Sequence, residues 1–232
     1  MVSMRQVHLQ TGGNGMGMKQ EVLEALHESG VVAVIRTENP RDLAAVARAL
    51  HNGGVSCVEI TMTVPGALDI IRDACAALAG TEVFSGAGTV LDAVSARAAI
   101  IAGARFVVGP GFDAEIVKIC SLYGIMNIPG AFTPQEILTA WKGGADVVKV
   151  FPADIGGPDY IKTIREPLPQ VSLLPTKGID LSTAGAYIKA GAFAVGAGSA
   201  LVSKALIAAG DYDRITANAK EFTRIVRDAR GG

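Results

Sequence analysis

The stretch VVAVIRTENPRDLAAVARALHNGGVSCVEIT, residues 31–61, decides the fold. It opens on Val31–Ile35, apolar at every position, which suits a strand buried on both faces as in a parallel sheet. Pro40–Leu50 follows with apolar residues at helical spacing, and Asn39 before Pro40 reads as its N-cap. Gly53 and Gly54 suit the end of that helix, and Cys57–Thr61 is a second apolar run. Strand, helix and strand within about thirty residues make a βα unit that returns to a parallel neighbour.

The pattern repeats down the chain. Apolar runs recur at Glu82–Ser85, Arg105–Val108, Ile125–Ile128, Val147–Phe151, Val171–Leu174 and Ala192–Val195, eight with the first two. Between them Pro65–Leu78, Ala93–Ala102, Ala114–Leu122, Pro134–Trp141, Tyr160–Arg165 and Ser182–Ala190 show helical spacing. Pro65 and Pro134 sit where a first helical turn tolerates proline. Eight strands alternating with helices predict an α/β fold, a single-domain (β/α)8 TIM barrel over residues 18–232. An open doubly wound sheet is the alternative. Arg165–Gln170 lacks the helical pattern and reads as a loop, whereas Asp211–Arg230 reads as a final helix over the barrel. Residues 1–17, with Gly12, Gly13, Asn14 and Gly15, read as a flexible N-terminal lead.

Composition narrows the function. A chain of 232 residues, half of them hydrophobic, suffices for one sizeable core. A net charge of −1 without a basic run argues against nucleic acid. No apolar run approaches the ~20 residues that span a bilayer. Cys57, Cys75 and Cys120 are scattered and odd in number, which fits reduced thiols in a cytoplasmic protein. His8, His27 and His51 lie away from strand ends and carboxylate clusters, so a metal site built on histidine is not expected; no cofactor is expected either.

A barrel of this type gathers its chemistry at the C-terminal ends of its strands. Two charged residues stand inside apolar runs there. Lys149 lies in Ala145–Pro152, flanked by Val147, Val148, Val150 and Phe151. An amine pressed into an apolar wall loses affinity for its proton, and a neutral amine forms an imine with a carbonyl. Glu59, between Val58 and Ile60, faces the barrel interior by alternation, and a buried carboxylate is costly unless paired; Lys149 is the expected partner. The residues alone leave two readings open. Lys149 is a nucleophile, or an edge lysine whose ammonium reaches water. Glu59 is a general acid/base beside it, or half of an ion pair that only ties strands together. Backbone N–H groups at Gly178, and at Gly198 and Ser199 leading into a helix, suit a phosphate. Gly86-Ala87-Gly88-Thr89 reads as a loop donating N–H groups to a carboxylate. Arg36 is a bidentate clamp on a carboxylate or phosphate, or a strand-end cap on the surface.

Taken in order, these segments resemble the bacterial aldolases that cleave 2-keto-3-deoxy-6-phosphogluconate (KDPG) and 4-hydroxy-2-oxoglutarate (KHG). The motifs are Ala33-Val34-Ile35-Arg36, Val58-Glu59-Ile60-Thr61, Gly86-Ala87-Gly88-Thr89-Val90, Gly109-Pro110-Gly111, Ile128-Pro129-Gly130, Lys149-Val150-Phe151-Pro152-Ala153, Pro175-Thr176 and Val195-Gly196-Ala197-Gly198-Ser199. The resemblance runs from Val31 to Val202. It implies a barrel assembled as a homotrimer, and a class I aldolase, a carbon–carbon lyase that needs no metal. It places Lys149 at the Schiff-base position and Glu59 at that of the general acid/base. Thr89 and the Gly86–Gly88 backbone correspond to the site of the pyruvate carboxylate. Pro110 and Phe151 correspond to the pocket wall, where Thr61 and Thr63 are expected as well. Thr176, Gly178, Gly198 and Ser199 match the phosphate end.

Two departures stand out. Thr63 occupies a place where some relatives carry arginine, a charge that Arg36 is expected to supply. Lys177 stands where the family typically has glycine, and a side chain there is strained if φ is positive. Lys177 adds a cation for the phosphate or narrows the pocket. The implied reaction is cleavage of KDPG to pyruvate and glyceraldehyde 3-phosphate, of KHG to pyruvate and glyoxylate, or of both. The alternatives are an aldolase for another 2-keto-3-deoxy sugar acid such as the phosphogalactonate, and a sugar-phosphate isomerase or epimerase with Glu59 as base. The only partners expected are a small keto acid and further copies of the chain.

Overall fold

The computed structural model of the chain describes residues 17–36 and 40–231. The expected lead up to residue 16 and the Asn39 cap lie outside the described residues. Among the described residues nine short strands pair in parallel: β1 (Val31–Ile35), β2 (Cys57–Thr61), β3 (Phe84–Gly88), β4 (Phe106–Val108), β5 (Met126–Ile128), β6 (Gly130–Ala131), β7 (Val148–Val150), β8 (Leu173–Pro175) and β9 (Val195–Ala197). One sheet runs β5-β4-β3-β2-β1-β9 and the other β6-β7-β8. Only Pro129 separates β5 from β6, so the two form one stave of the barrel. At the opposite seam Thr176 bridges Gly196 in parallel, and the Phe193 amide donates to the Leu173 carbonyl at 2.9 Å. The ring therefore closes with eight staves, a (β/α)8 barrel in a single domain.

Helices α2 (Pro40–Asn52), α3 (Ala67–Ala77), α4 (Ala93–Ile101), α5 (Ala114–Tyr123), α6 (Pro134–Lys142), α7 (Gly157–Arg165) and α8 (Ala184–Lys189) follow successive staves, with α1 (Met18–Ser29) before them and α9 (Lys204–Ala209) and α10 (Tyr212–Arg230) after. The Thr133–Pro134 start behaves as its sequence suggests: the Thr133 hydroxyl accepts from the Glu136 amide, and the Glu136 carboxylate accepts from the Thr133 amide. Pro65 does not open a helix. Gly66 follows it at φ 71°, a left-handed turn, and α3 begins only at Ala67. Helix α10 seats on α2 because Gly53 has no side chain; a Cβ there would overlap Ala219. Thr216 then donates to the Ala49 carbonyl at 2.9 Å, and Thr223 to the Gly53 carbonyl at 3.1 Å.

Alternation along each stave separates two environments. Val148 and Val150 face the helical layer, whereas Val147 joins an inner cluster with Val32, Cys57, Phe106, Met126 and Ala194. Helix α1, which the sequence reading passed over, closes this lower end. Val22 and Leu26 are fully buried within the inner cluster, worth ~1.5–3 kcal/mol each. Lys19 ties α1 down through an ion pair to Asp146 at 2.6 Å, and Asp146 also accepts from the Asn127 amide (2.9 Å) and side chain (2.8 Å).

Candidate active site

The upper end stays open, with a cavity of about 500 Å³ at the C-terminal ends of the staves. Its floor carries Glu59 from β2 and Lys149 from β7. They are 3% and 7% exposed, so neither reaches water as a surface residue would. Lys149 points inward because Val148 and Val150 take the outward positions of β7. The strand is held on both sides, by Gly130 of β6 and Leu174 of β8. Its ammonium nitrogen stands 5.2 Å from the centre of the Phe151 ring, within cation–π range.

Burial raises the Glu59 carboxyl above its ordinary value, and the positive charges of Lys149 and Arg36 pull it partly back. The carboxyl therefore keeps its proton further toward neutral pH than an exposed glutamate, as suits a group that must both give and take protons. The two side chains share the floor without a direct hydrogen bond or ion pair, contrary to the pairing expected from sequence. Parity along β2 and β7 puts them in one chamber but says nothing of their separation.

Most expected site residues line this one cavity: Arg36, Thr89, Pro110 and Phe151 around the floor, and Thr176, Lys177, Gly178, Gly198 and Ser199 toward the β8–β9 side. Gly86 and Gly88 do not. They are strand residues between β2 and β4 rather than loop donors, and their missing side chains make space. A Cβ at Gly86 would overlap the Phe106 ring, and one at Gly88 would overlap the Glu59 carboxylate. Gly88 therefore gives the Glu59 carboxylate room.

Thr61 and Thr63 also lie off the cavity wall. Thr61 is buried opposite Gly88, and its hydroxyl has no hydrogen-bond partner. Thr63 is exposed in the turn after β2. Gly198 and Ser199 open a single turn, in which the Leu201 and Val202 amides donate to the Gly198 carbonyl; helix α9 starts only at Lys204. Val34, Ile179 and Gly196 line the cavity and were not anticipated. Alternation from Val32 would have found Val34. Gly196 is needed because a Cβ would overlap the Thr176 hydroxyl.

Among the lining side chains Arg36, Lys149 and Lys177 carry positive charge and Glu59 alone can carry negative charge, so the chamber suits an anion. Among the described residues no three His, Cys, Asp or Glu side chains cluster to hold a metal ion, and no helix is long and apolar enough to cross a membrane.

Known proteins share this fold and part of this sequence. The model of the family described as "KDPG and KHG aldolase" matches residues 22–218. A 2-dehydro-3-deoxy-phosphogluconate aldolase of Treponema pallidum is 37% identical over 209 residues, covering 88% of this chain and 97% of that protein. A KHG/KDPG aldolase of Escherichia coli is 35% identical over 192 residues, covering 82% and 89%. The solved KDPG aldolase of Zymomonas mobilis ZM4 with 3-phosphoglycerate superposes with a TM-score of 0.78 at 30% identity, covering 89% of this chain and 97% of that one. A match over most of both lengths, on the fold already described, makes this chain an aldolase and hence a carbon–carbon lyase: it belongs to the KDPG and KHG aldolase family.

Proposed function

We propose that the cavity performs Schiff-base aldol cleavage of a 2-keto-3-deoxy-6-phospho sugar acid to pyruvate and glyceraldehyde 3-phosphate, and of 4-hydroxy-2-oxoglutarate to pyruvate and glyoxylate. The carrying observation is burial. Among the described residues Glu59 and Lys149 are the two charged side chains that are buried, and both stand on the floor of one anion-suited chamber.

The Lys149 amine, as free base, attacks the keto carbon and forms a carbinolamine. Protonated Glu59 gives its proton to the departing hydroxyl, which leaves as water, and an iminium remains. The Glu59 carboxylate then takes the proton of the carbon-four hydroxyl. The bond between carbons three and four breaks, its electrons pass into the iminium, and the aldehyde leaves. Glu59 returns the proton to the enamine carbon. Water adds to the resulting iminium, Glu59 takes up the proton, and pyruvate is released with the amine restored. Proton transfer of this kind is worth ~10²–10⁴-fold.

In this reading Thr89 and Arg36 hold the substrate carboxylate, Pro110 and Phe151 flank the reacting carbons, and Thr176, Lys177, Gly178, Gly198 and Ser199 receive the phosphate. The protein works as a cytoplasmic homotrimer. Borohydride reduction in the presence of pyruvate tests the chemistry: a covalent adduct is expected on Lys149 by peptide mass mapping. An adduct on Lys177, or turnover without any adduct as an isomerase would show, rejects the assignment.

A further inference from the structure

Lys177 is, among the described residues, the one non-glycine residue with positive φ, at 81°. L side chains avoid this region because Cβ crowds the following carbonyl. Gly178 comes next at φ 73°, so the exit from β8 runs through two successive left-handed residues. Glycine is the relaxed choice at both.

Packing does not account for the lysine. Its side chain is exposed, and its ammonium makes no ion pair with another described residue. It does line the cavity, beside Gly178. Arg36 borders the same cavity, its guanidinium 4.0 Å from where a Cβ of Gly198 would stand. Two cations thus border the cavity near its glycine backbones at Gly178 and Gly198.

We propose that Lys177 is a specificity-determining residue, its strained backbone retained for an ammonium that selects keto acids ending in a phosphate monoester over those ending in a carboxylate. The inference rests on the aldolase reading for its substrates. With carbon two bonded to Lys149, a carboxylate attached directly to carbon four stays near the floor. A phosphate on carbon six extends two carbons and an oxygen farther into the cavity that Lys177 also lines, and brings a second negative charge.

Two variants separate charge from strain. Lys177→Met removes the ammonium and keeps a side chain in the left-handed turn; Lys177→Gly removes both. In each, the ratio of kcat/KM for the phosphorylated substrate over that for 4-hydroxy-2-oxoglutarate is expected to fall roughly ten-fold or more. Only Lys177→Gly should gain Tm, by about 2–4 °C. Calorimetric titration with inorganic phosphate should show weaker binding in both variants. A ratio and a phosphate affinity both within about twofold of the parent in Lys177→Met would overturn the proposal. Should the parent form no borohydride adduct with pyruvate, the aldolase reading falls, while the phosphate titration still decides the role of Lys177.

Discussion

The two halves of the barrel interior are built on the same staves and end in opposite chemistry. Cys57 sits below Glu59 on β2, and Val147 below Lys149 at β7. Leu174 lies below Thr176, and Ala194 below Gly196. The lower member of each pair packs in an apolar cluster sealed by α1; the upper one faces the open chamber. Burial acts on both Cys57 and Glu59. It pushes the Cys57 thiol up to about 12, with nothing to oppose it, so the thiol stays protonated and inert. It raises Glu59 too, but Lys149 and Arg36 oppose the rise. Desolvation alone makes a silent residue, whereas desolvation against nearby cations makes one that exchanges its proton. The staves supply burial at both ends, and Lys149 and Arg36 oppose its effect at Glu59 but not at Cys57.

If that contrast is right, the largest effects of mutation on turnover belong to the upper layer. Lys149→Met keeps an unbranched side chain and removes the proposed nucleophile. Steady-state kcat should fall by ~10⁴-fold or more, with no adduct trapped by borohydride. A variant retaining a tenth of the activity would show that the reaction does not pass through an imine on Lys149. Glu59→Gln should lower kcat by ~10²–10⁴-fold.

The same Glu59 substitution probes stability in the opposite direction. The folded carboxyl lies above its ordinary value of 4.5, so above that pH the folded state holds a proton that the unfolded chain has released. Stability contributed by Glu59 is complete below 4.5 and is lost as pH rises through the folded value. The Tm of Glu59→Gln relative to the parent should therefore climb as pH rises from 4.5 through the folded value. A flat difference would mean that the cations fully offset the burial.

The sequence revealed the staves more clearly than their ends. Val31–Ile35 and Cys57–Thr61 were legible to the residue, because both faces of each strand are apolar or inward-facing. The third strand was read at Glu82–Ser85 and lies at Phe84–Gly88. Glycines in a run signal a turn, and what keeps Gly86 and Gly88 extended is the bulk of Phe106 and Glu59 on neighbouring staves, which no local pattern reveals. Lys149 and Glu59 could be found because charge inside an apolar run is conspicuous. Thr61 and Thr63 were misplaced because proximity in sequence to Glu59 does not give a view of the chamber. Helix α1 has a legible apolar pair in Val22 and Leu26, but its partner is the rim of a closed barrel, and that surface exists only once the ring is formed.

Predictions for the lower layer are smaller and fall on stability. Leu26→Ala removes a fully buried side chain from the seal and should cost ~2–5 kcal/mol, read as a lower denaturant midpoint. Its kcat at a temperature where the variant is folded should match the parent. A large fall in kcat would mean that the plug also shapes the catalytic floor, and the division between the layers would fail.

Lys19→Ala tests the tether alone. The Lys19 side chain is 38% exposed, so solvent screens its 2.6 Å pair with Asp146, and the loss is expected to be ~1 kcal/mol or less. Asp146 keeps its two hydrogen bonds from Asn127, so the carboxylate that joins the fifth and sixth staves stays satisfied. The effect should shrink further in high salt, where exposed charges are screened. A salt-independent loss of several kcal/mol would instead make the ion pair the latch of the barrel floor, with the apolar contacts of Val22 and Leu26 forming only after it closes.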